Sequence, residues 1–299
     1  MTSRLPVLAP IVFGATLILS TCAPMTSGGW SGTAARAPVG SGVPGDLRIT
    51  AHRGASGLAP ENTLVAMQRA HAEGAGAAEL DVQVTADGAV VLMHDASLRR
   101  TTGDDRDLAD VTLADLRRLE AGRWFAEEFA GEPVPTLAEV LAWARGRLVL
   151  NIEIKVTGRS PEIAGKVVAL ITAAGAEDRC FVTSFDRATV EEVKRLAPGL
   201  RTGLIFAVTY PDDVFTAGWE ILSCQHTGVN AAFVRQAHRA DKQVHVWTVN
   251  DPERMKALLG LGVDSIITNR PDVLREVLGE EGENVEHAVG IRPPALSRF

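Results

Sequence analysis

Two histidines bracket a run of acidic residues: His52-Arg53-Gly54, then Pro60-Glu61-Asn62-Thr63, then Glu79-Leu80-Asp81, then His94-Asp95. Imidazole titrates near neutrality, so one histidine can take a proton while the other gives one. Residues two apart on a strand share a face, so Glu79 and Asp81 point together, as do Asn151, Glu153 and Lys155 further along. Carboxylates aimed at one another repel unless a cation lies between them. Glu79, Asp81 and Glu153 therefore form a hard, oxygen-only set suited to one divalent cation, Ca²⁺ or Mg²⁺, rather than to zinc. Ion pairs with Arg53 and Lys155 are the competing use of the same carboxylates. The Arg53 fork suits bidentate phosphate contact, whereas Lys155 offers a point charge. Together these are the parts for metal-assisted phosphodiester cleavage.

Around this set stand residues with supporting roles. Asp95 either orients a histidine or caps the next turn. Asn62 or Thr63 reads as a helix cap, and Glu61, beside the first strand's loop, as an organiser of the site. Trp247, in Trp247-Thr248-Val249-Asn250, ends a strand and walls a small-molecule pocket or packs in the core. His226, His238 and His245 have no acidic pattern around them and read as structural.

Strands must bring these residues together. Short β-branched runs recur at 47–52, 77–84, 148–154, 181–184, 202–206, 219–222, 244–249 and 265–268. Helical patterns fill most gaps, at 63–73, 162–174, 188–196, 231–240, 253–259 and 273–278. Repeated strand–helix alternation argues a parallel sheet with helical crossovers, and eight units favour a closed TIM-type (β/α)8 barrel over an open doubly wound sheet. An extra strand at 89–94 follows the Asp87-Gly88 turn as a hairpin. The stretch from Asp95 to Val134, with a short helix at 113–119, is then a small insertion after the second barrel strand. Catalytic groups of such barrels gather where the strands end, which is where the polar residues above cluster.

The chain has 299 residues, 46% of them hydrophobic and 22% charged, with a formal net charge of −7. That balance fits a globular protein and excludes a polyanion-binding surface, so no nucleic-acid partner is expected. Residues 1–22 read as a signal peptide or lipoprotein signal: Arg4 precedes an apolar run interrupted by Pro6 and Pro10, too short to span a bilayer. Leu19-Ser20-Thr21-Cys22 resembles a bacterial lipobox, although Thr21 departs from the usual small residue. Export to the periplasm, cell envelope or medium is expected, open between a membrane tether through lipidated Cys22 and free secretion. A Gly/Ser/Pro-rich linker over 23–46 leads to a folded domain at 47–278, with a flexible tail over 279–299. Cys180 and Cys224 are too few for a disulfide framework, and a single bridge between them stays open. Oligomeric state is not readable.

His52-Arg53-Gly54, Pro60-Glu61-Asn62-Thr63, Glu79-Leu80-Asp81-Val82, His94-Asp95, Glu153-Ile154-Lys155, Val246-Trp247-Thr248-Val249-Asn250 and Asp264-Ser265-Ile266-Ile267-Thr268, in this order, resemble the glycerophosphodiester phosphodiesterases. The resemblance implies a TIM-type barrel that hydrolyses small glycerophosphodiesters to sn-glycerol 3-phosphate and an alcohol. It implies a divalent cation on Glu79, Asp81 and Glu153, an acid–base pair in His52 and His94, and phosphate contacts from Arg53 and Lys155. Asn269 departs from the Asp that many members carry after Ile-Ile-Thr. A phospholipase-type enzyme acting on intact lipids would share the chemistry, with apolar loops such as Trp124-Phe125 and Phe129 at the mouth. A non-catalytic cell-envelope binding protein would have lost a histidine or a carboxylate, and none is missing.

Overall fold

The structure, a computed structural model, describes residues 45–160 and 162–279. The leader expected over 1–22, all but the end of the linker expected over 23–46 and the part beyond 279 of the expected tail lie outside the described residues. In chain order the elements are β1 (Asp46–Ala51), α1 (Leu64–Ala72), β2 (Ala75–Val84), β3 (Val90–Leu92), α2 (Arg99–Thr102), α3 (Leu113–Leu116) and α4 (Leu137–Ala144). Then come β4 (Val149–Ile154), α5 (Ile163–Ala173), β5 (Cys180–Ser184), α6 (Arg187–Leu196), β6 (Arg201–Phe206) and β7 (Ile221–Gln225). The chain closes with α7 (Ala231–Arg239), β8 (Gln243–Trp247), α8 (Pro252–Gly260), β9 (Ser265–Thr268) and α9 (271–279).

Eight strands pair in parallel from β1 round to β9, and β1 pairs with both β2 and β9, closing the barrel. β3 is the additional strand, antiparallel to β2 as the Asp87-Gly88 turn predicts. Caps fix where the helices begin, just past the strand ends. The Thr63 hydroxyl accepts from Ala66 N–H, Thr136 and Glu139 form a capping box, and Asp186, Asn230 and Asp251 each accept from the first turn that follows them.

The main core lies between the strands' outer faces and the helices, with Leu80, Ile152, Val182, Val244 and Ile266 all buried. The 95–134 insertion has a small core of its own, in which Leu98, Leu108, Val111 and Leu116 pack on Val91 and Met93. It is therefore a built shoulder of the barrel rather than a loose loop. Trp124, Phe125 and Phe129 stack edge-on within it, with Trp124 exposed and the other two half-buried. No helix among the described residues is long and apolar enough to cross a membrane.

Several sequence expectations need correcting. The strand expected at 219–222 runs Ile221–Gln225. Trp219 precedes it, buried beneath the Arg187 guanidinium, which sits 5.2 Å from its ring. A bulky apolar residue that packs on the core just before a strand is indistinguishable by pattern from the strand's first residue. The short helix expected at 113–119 ends at Leu116. Cys180 and Cys224 are free, buried and unbridged, on strands separated by β6, and burial pushes both thiols up to about 12. His238 does have an acidic partner, with Nε2 2.9 Å from Asp264 Oδ2. That contact joins α7 to the residue before β9, across 26 positions that local pattern does not span.

Candidate active site

β2 and β4 run side by side with Asp81 opposite Glu153 and Glu79 opposite Asn151. This register turns two separate sequence motifs into one cluster: oxygens of Glu79, Asp81 and Glu153 lie within 4.8 Å of one another, all three buried. Burial, followed by the charges of Asp81 and Glu153, raises Glu79 well above the ordinary carboxylate range. Burial and then Asp81 raise Glu153 to about 7, against the pull of Lys155. Burial alone would raise Asp81 as well, but Lys155, Arg53 and Asn62 hold it low. Lys155 Nζ bridges Asp81, at 3.0 Å, and Glu153, while Arg53 Nε lies 3.3 Å from Asp81. Two cations against three carboxylates leave the set one positive charge short, and Glu79 Oε1 is buried with no hydrogen-bond partner. An orphaned carboxylate oxygen facing two others is a donor set that fits a hard divalent cation, and it exceeds what the competing ion-pair reading accounts for.

The loop after β1 is folded hard onto this cluster. Arg53 N–H donates to Glu79 Oε2 at 2.8 Å and Gly54 N–H to Glu79 O at 3.0 Å. Arg53 and Asn62 both sit at positive φ, 52° and 57°, a conformation that side chains with a Cβ adopt at a cost and that gathers at functional sites. A Cβ on Gly54 would come within 2.7 Å of Ala66 in α1, so only glycine permits the close approach. Asn62 repays its strain with two bonds to one residue: its Nδ2 donates to Asp81 Oδ2 and its Oδ1 accepts from Asp81 N–H. Thr63 is the helix cap, and Asn62 belongs to the site. Glu61 is clamped between Arg53 and Arg100, which explains how it organises the loop.

The two histidines are anchored differently. His52 Nδ1 lies 2.6 Å from the amide oxygen of Asn269, which also accepts from Ser56. An amide oxygen only accepts, so the His52 proton sits on Nδ1 and Nε2 is left with its lone pair. Burial and then Arg53 lower this ring to about 4. His94 Nδ1 instead lies 2.6 Å from a carboxylate, Asp95, which Arg100 holds from the other side. Asp95 thus orients the histidine. Hydrogen bonds from Arg100 and His94 overcome burial and draw Asp95 down to about 2. The segment carrying His94 is itself held by Gln83, whose Nε2 reaches the carbonyls of Met93, His94 and Asp95.

His52, Arg53, Glu79, His94, Glu153, Lys155 and Trp247 line one cavity of about 160 Å³ at the ends of the strands. Trp247 walls this pocket, with its ring edge-on to Phe185 at 5.7 Å. Sequence reasoning missed Gln83, Phe185, Arg100 and the role of Asn269. Gln83 was signalled, because it continues the Glu79–Asp81 face of β2. Arg100 was not, since nothing local ties it to Glu61.

This arrangement, a closed parallel barrel with an insertion after its second strand and a histidine–carboxylate mouth, has known relatives. Residues 52–273 match the Glycerophosphoryl diester phosphodiesterase family, and the chain belongs to that family. A glycerophosphodiester phosphodiesterase of Caldanaerobacter subterraneus subsp. tengcongensis is 35% identical over 240 residues, covering 78% of this chain and 98% of the relative. A phosphodiesterase of Oleispira antarctica, solved in complex with the product sn-glycerol 3-phosphate, superposes with a TM-score of 0.74 at 27% identity, covering 78% of this chain and 96% of the other. A glycerophosphodiester phosphodiesterase of Agrobacterium tumefaciens gives 0.69 at 28%, with 77% and 99% covered.

Proposed function

We propose that this chain is an exported, divalent-cation-dependent glycerophosphodiester phosphodiesterase using His52 and His94 as its proton carriers. The observation that carries the reading is the buried Glu79–Asp81–Glu153 triad beside two histidines of opposite anchoring, in a cavity of about 160 Å³. Export rests on the leader sequence and Cys22.

A divalent cation held by Glu79, Asp81 and Glu153 would polarise the phosphoryl group and neutralise its charge. Arg53 and Lys155 supply further positive charge for the oxygens that gain it as phosphorus becomes five-coordinate. His52, whose Nε2 carries its lone pair and stands 3.9 Å from Glu79 Oε2, accepts the proton of the glycerol 2-hydroxyl as that oxygen attacks phosphorus. The bond to the alcohol breaks, and His94 gives its Nε2 proton to the departing oxygen. The Asp95 carboxylate, 2.6 Å from His94 Nδ1, holds the ring that gives this proton in place. Water then opens the cyclic phosphate with the roles exchanged: His94 takes the proton of water, and His52 returns its own to the glycerol 2-oxygen.

Purified protein should release sn-glycerol 3-phosphate from glycerophosphocholine with Ca²⁺ or Mg²⁺, and chelation should abolish the release reversibly. Turnover indifferent to chelator would remove the cation from the reading. Release of diacylglycerol or phosphatidic acid from intact phospholipid, with no action on glycerophosphocholine, would replace it with the phospholipase-type alternative.

A further inference from the structure

Two cavities share a wall at this site. The inner one, about 160 Å³, descends into the barrel past Arg53, Ile205 and Ile267. The outer one, about 520 Å³ and more open, runs over the loops after β4 and β5, past Val156, Thr157 and Asp186. His94, Glu153, Lys155 and Phe185 line both, whereas His52 and Arg53 line only the inner. A phosphodiester has two arms. With its phosphorus held at the shared wall, one arm enters each cavity.

We propose that the outer cavity is the subsite for the leaving alcohol and that it favours alcohols bearing an apolar or aromatic group; this rests on the diesterase reading above. The attacking hydroxyl has to lie beside His52, which fixes the glycerol arm in the inner cavity, a space smaller than the usual ~300–1,000 Å³ of ligand pockets and suited to a three-carbon unit. The leaving oxygen then falls at the shared wall, within reach of His94. Beyond it the outer cavity presents two apolar side chains that are not packed into the core: Val156 and Phe185 are each 53% exposed. They follow β4 and β5, which are adjacent in the sheet. The Phe185 ring is braced edge-on against Trp247 and stands 6.0 Å from the Lys155 ammonium, so it is held in place at little further entropic cost when a ligand covers it. Apolar surface held open at the end of a reactive cavity is surface that an apolar ligand group removes from water.

The test compares the methyl and benzyl esters of sn-glycerol 3-phosphate, whose leaving alcohols have nearly equal acidity, so that a difference in rate reports contact and not leaving ability. The benzyl ester should have kcat/KM roughly 10-fold or more above the methyl ester, the scale on which apolar pockets discriminate. Val156→Ser, at a position outside the shared wall, should shrink that ratio severalfold through the benzyl ester, and Phe185→Ala should shrink the ratio as well. Equal kcat/KM for the two esters in the unaltered protein, or a ratio that neither substitution changes, overturns the subsite. Failure to release glycerol 3-phosphate from either ester overturns the diesterase reading itself, and the subsite with it.

Discussion

The floor of the barrel and its mouth are built from the same strands and obey opposite rules. At the floor, Ala77, Val149, Phe181 and Ile221 close the interior with apolar side chains. Two residues further along β2 and β4 the same face carries Glu79 and Asn151, and two further still Asp81 and Glu153. About 7 Å of strand separates each step, so the interior passes from a packed apolar layer to three carboxylates within two steps, about 13 Å of strand. Barrels of this class are commonly filled by layers of branched apolar residues. Here only the lowest layer is. The difference teaches where each kind of energy resides: floor contacts hold the strands together, and mouth contacts hold charge in place at the expense of burial.

Removing a proton carrier should expose the mouth's side of this division. His52→Ala and His94→Ala should each reduce kcat by ~10²–10⁴-fold, the usual contribution of general acid–base catalysis. Thermal denaturation should change little, because both rings are anchored by single hydrogen bonds at the rim. A leaving group as acidic as p-nitrophenol needs no proton, so His94→Ala should recover far more rate than His52→Ala on the p-nitrophenyl ester of glycerophosphate. Equal rescue of the two would exchange or merge their roles.

Phe181→Ala should do the reverse at the floor. Phe181 is buried and meets His245 edge-on at 5.4 Å, and truncating a buried phenylalanine costs ~3–5 kcal/mol. For a domain of this size that is a fall of roughly 10 °C in melting temperature, while kcat of the folded protein below the transition should stay within a few-fold. A kcat that collapsed with the stability would mean that floor and mouth are not separable layers.

How far the sequence carried these conclusions differs between the two regions. Strand alternation at 77–84 and 148–154 predicted the face shared by Glu79 and Asp81 and that shared by Asn151 and Glu153, because period two is a local property. That the two faces converge depends on the register of β2 with β4, which no local pattern encodes. The same limit hid Arg100, which crosses from the insertion to Glu61 over 39 positions, and Asn269, which crosses to His52 over 217. Asn269 stood out in the sequence only as a departure from the family's Asp. In the fold it is the residue that fixes the His52 tautomer. Trp219 misled for the opposite reason, since its apolar character is real but belongs to packing just outside the strand. The motifs were legible and the partners that orient them were not.

Between floor and mouth lies a middle layer in which Thr50 bonds Ser265, Thr183 bonds Asn151, and His245 is buried with Nδ1 unpartnered. Burial lowers the His245 ring to about 4 from an ordinary value near 6.5, outweighing the opposing pull of Asp264. The folded state therefore excludes a proton that the unfolded chain binds. The stability that follows is complete above about pH 6.5 and is lost as pH falls towards 4, a range worth on the order of 3 kcal/mol by linkage. His52 shifts in the same direction and contributes in the same window. His245→Leu removes one of the two titrations, so urea midpoints followed from pH 7 to 4.5 should fall less steeply in the variant than in the unaltered protein. Parallel curves would mean that the middle layer admits the proton, with water or Asp264 compensating it, and that the division between an uncharged interior and a charged mouth begins higher in the barrel than His245.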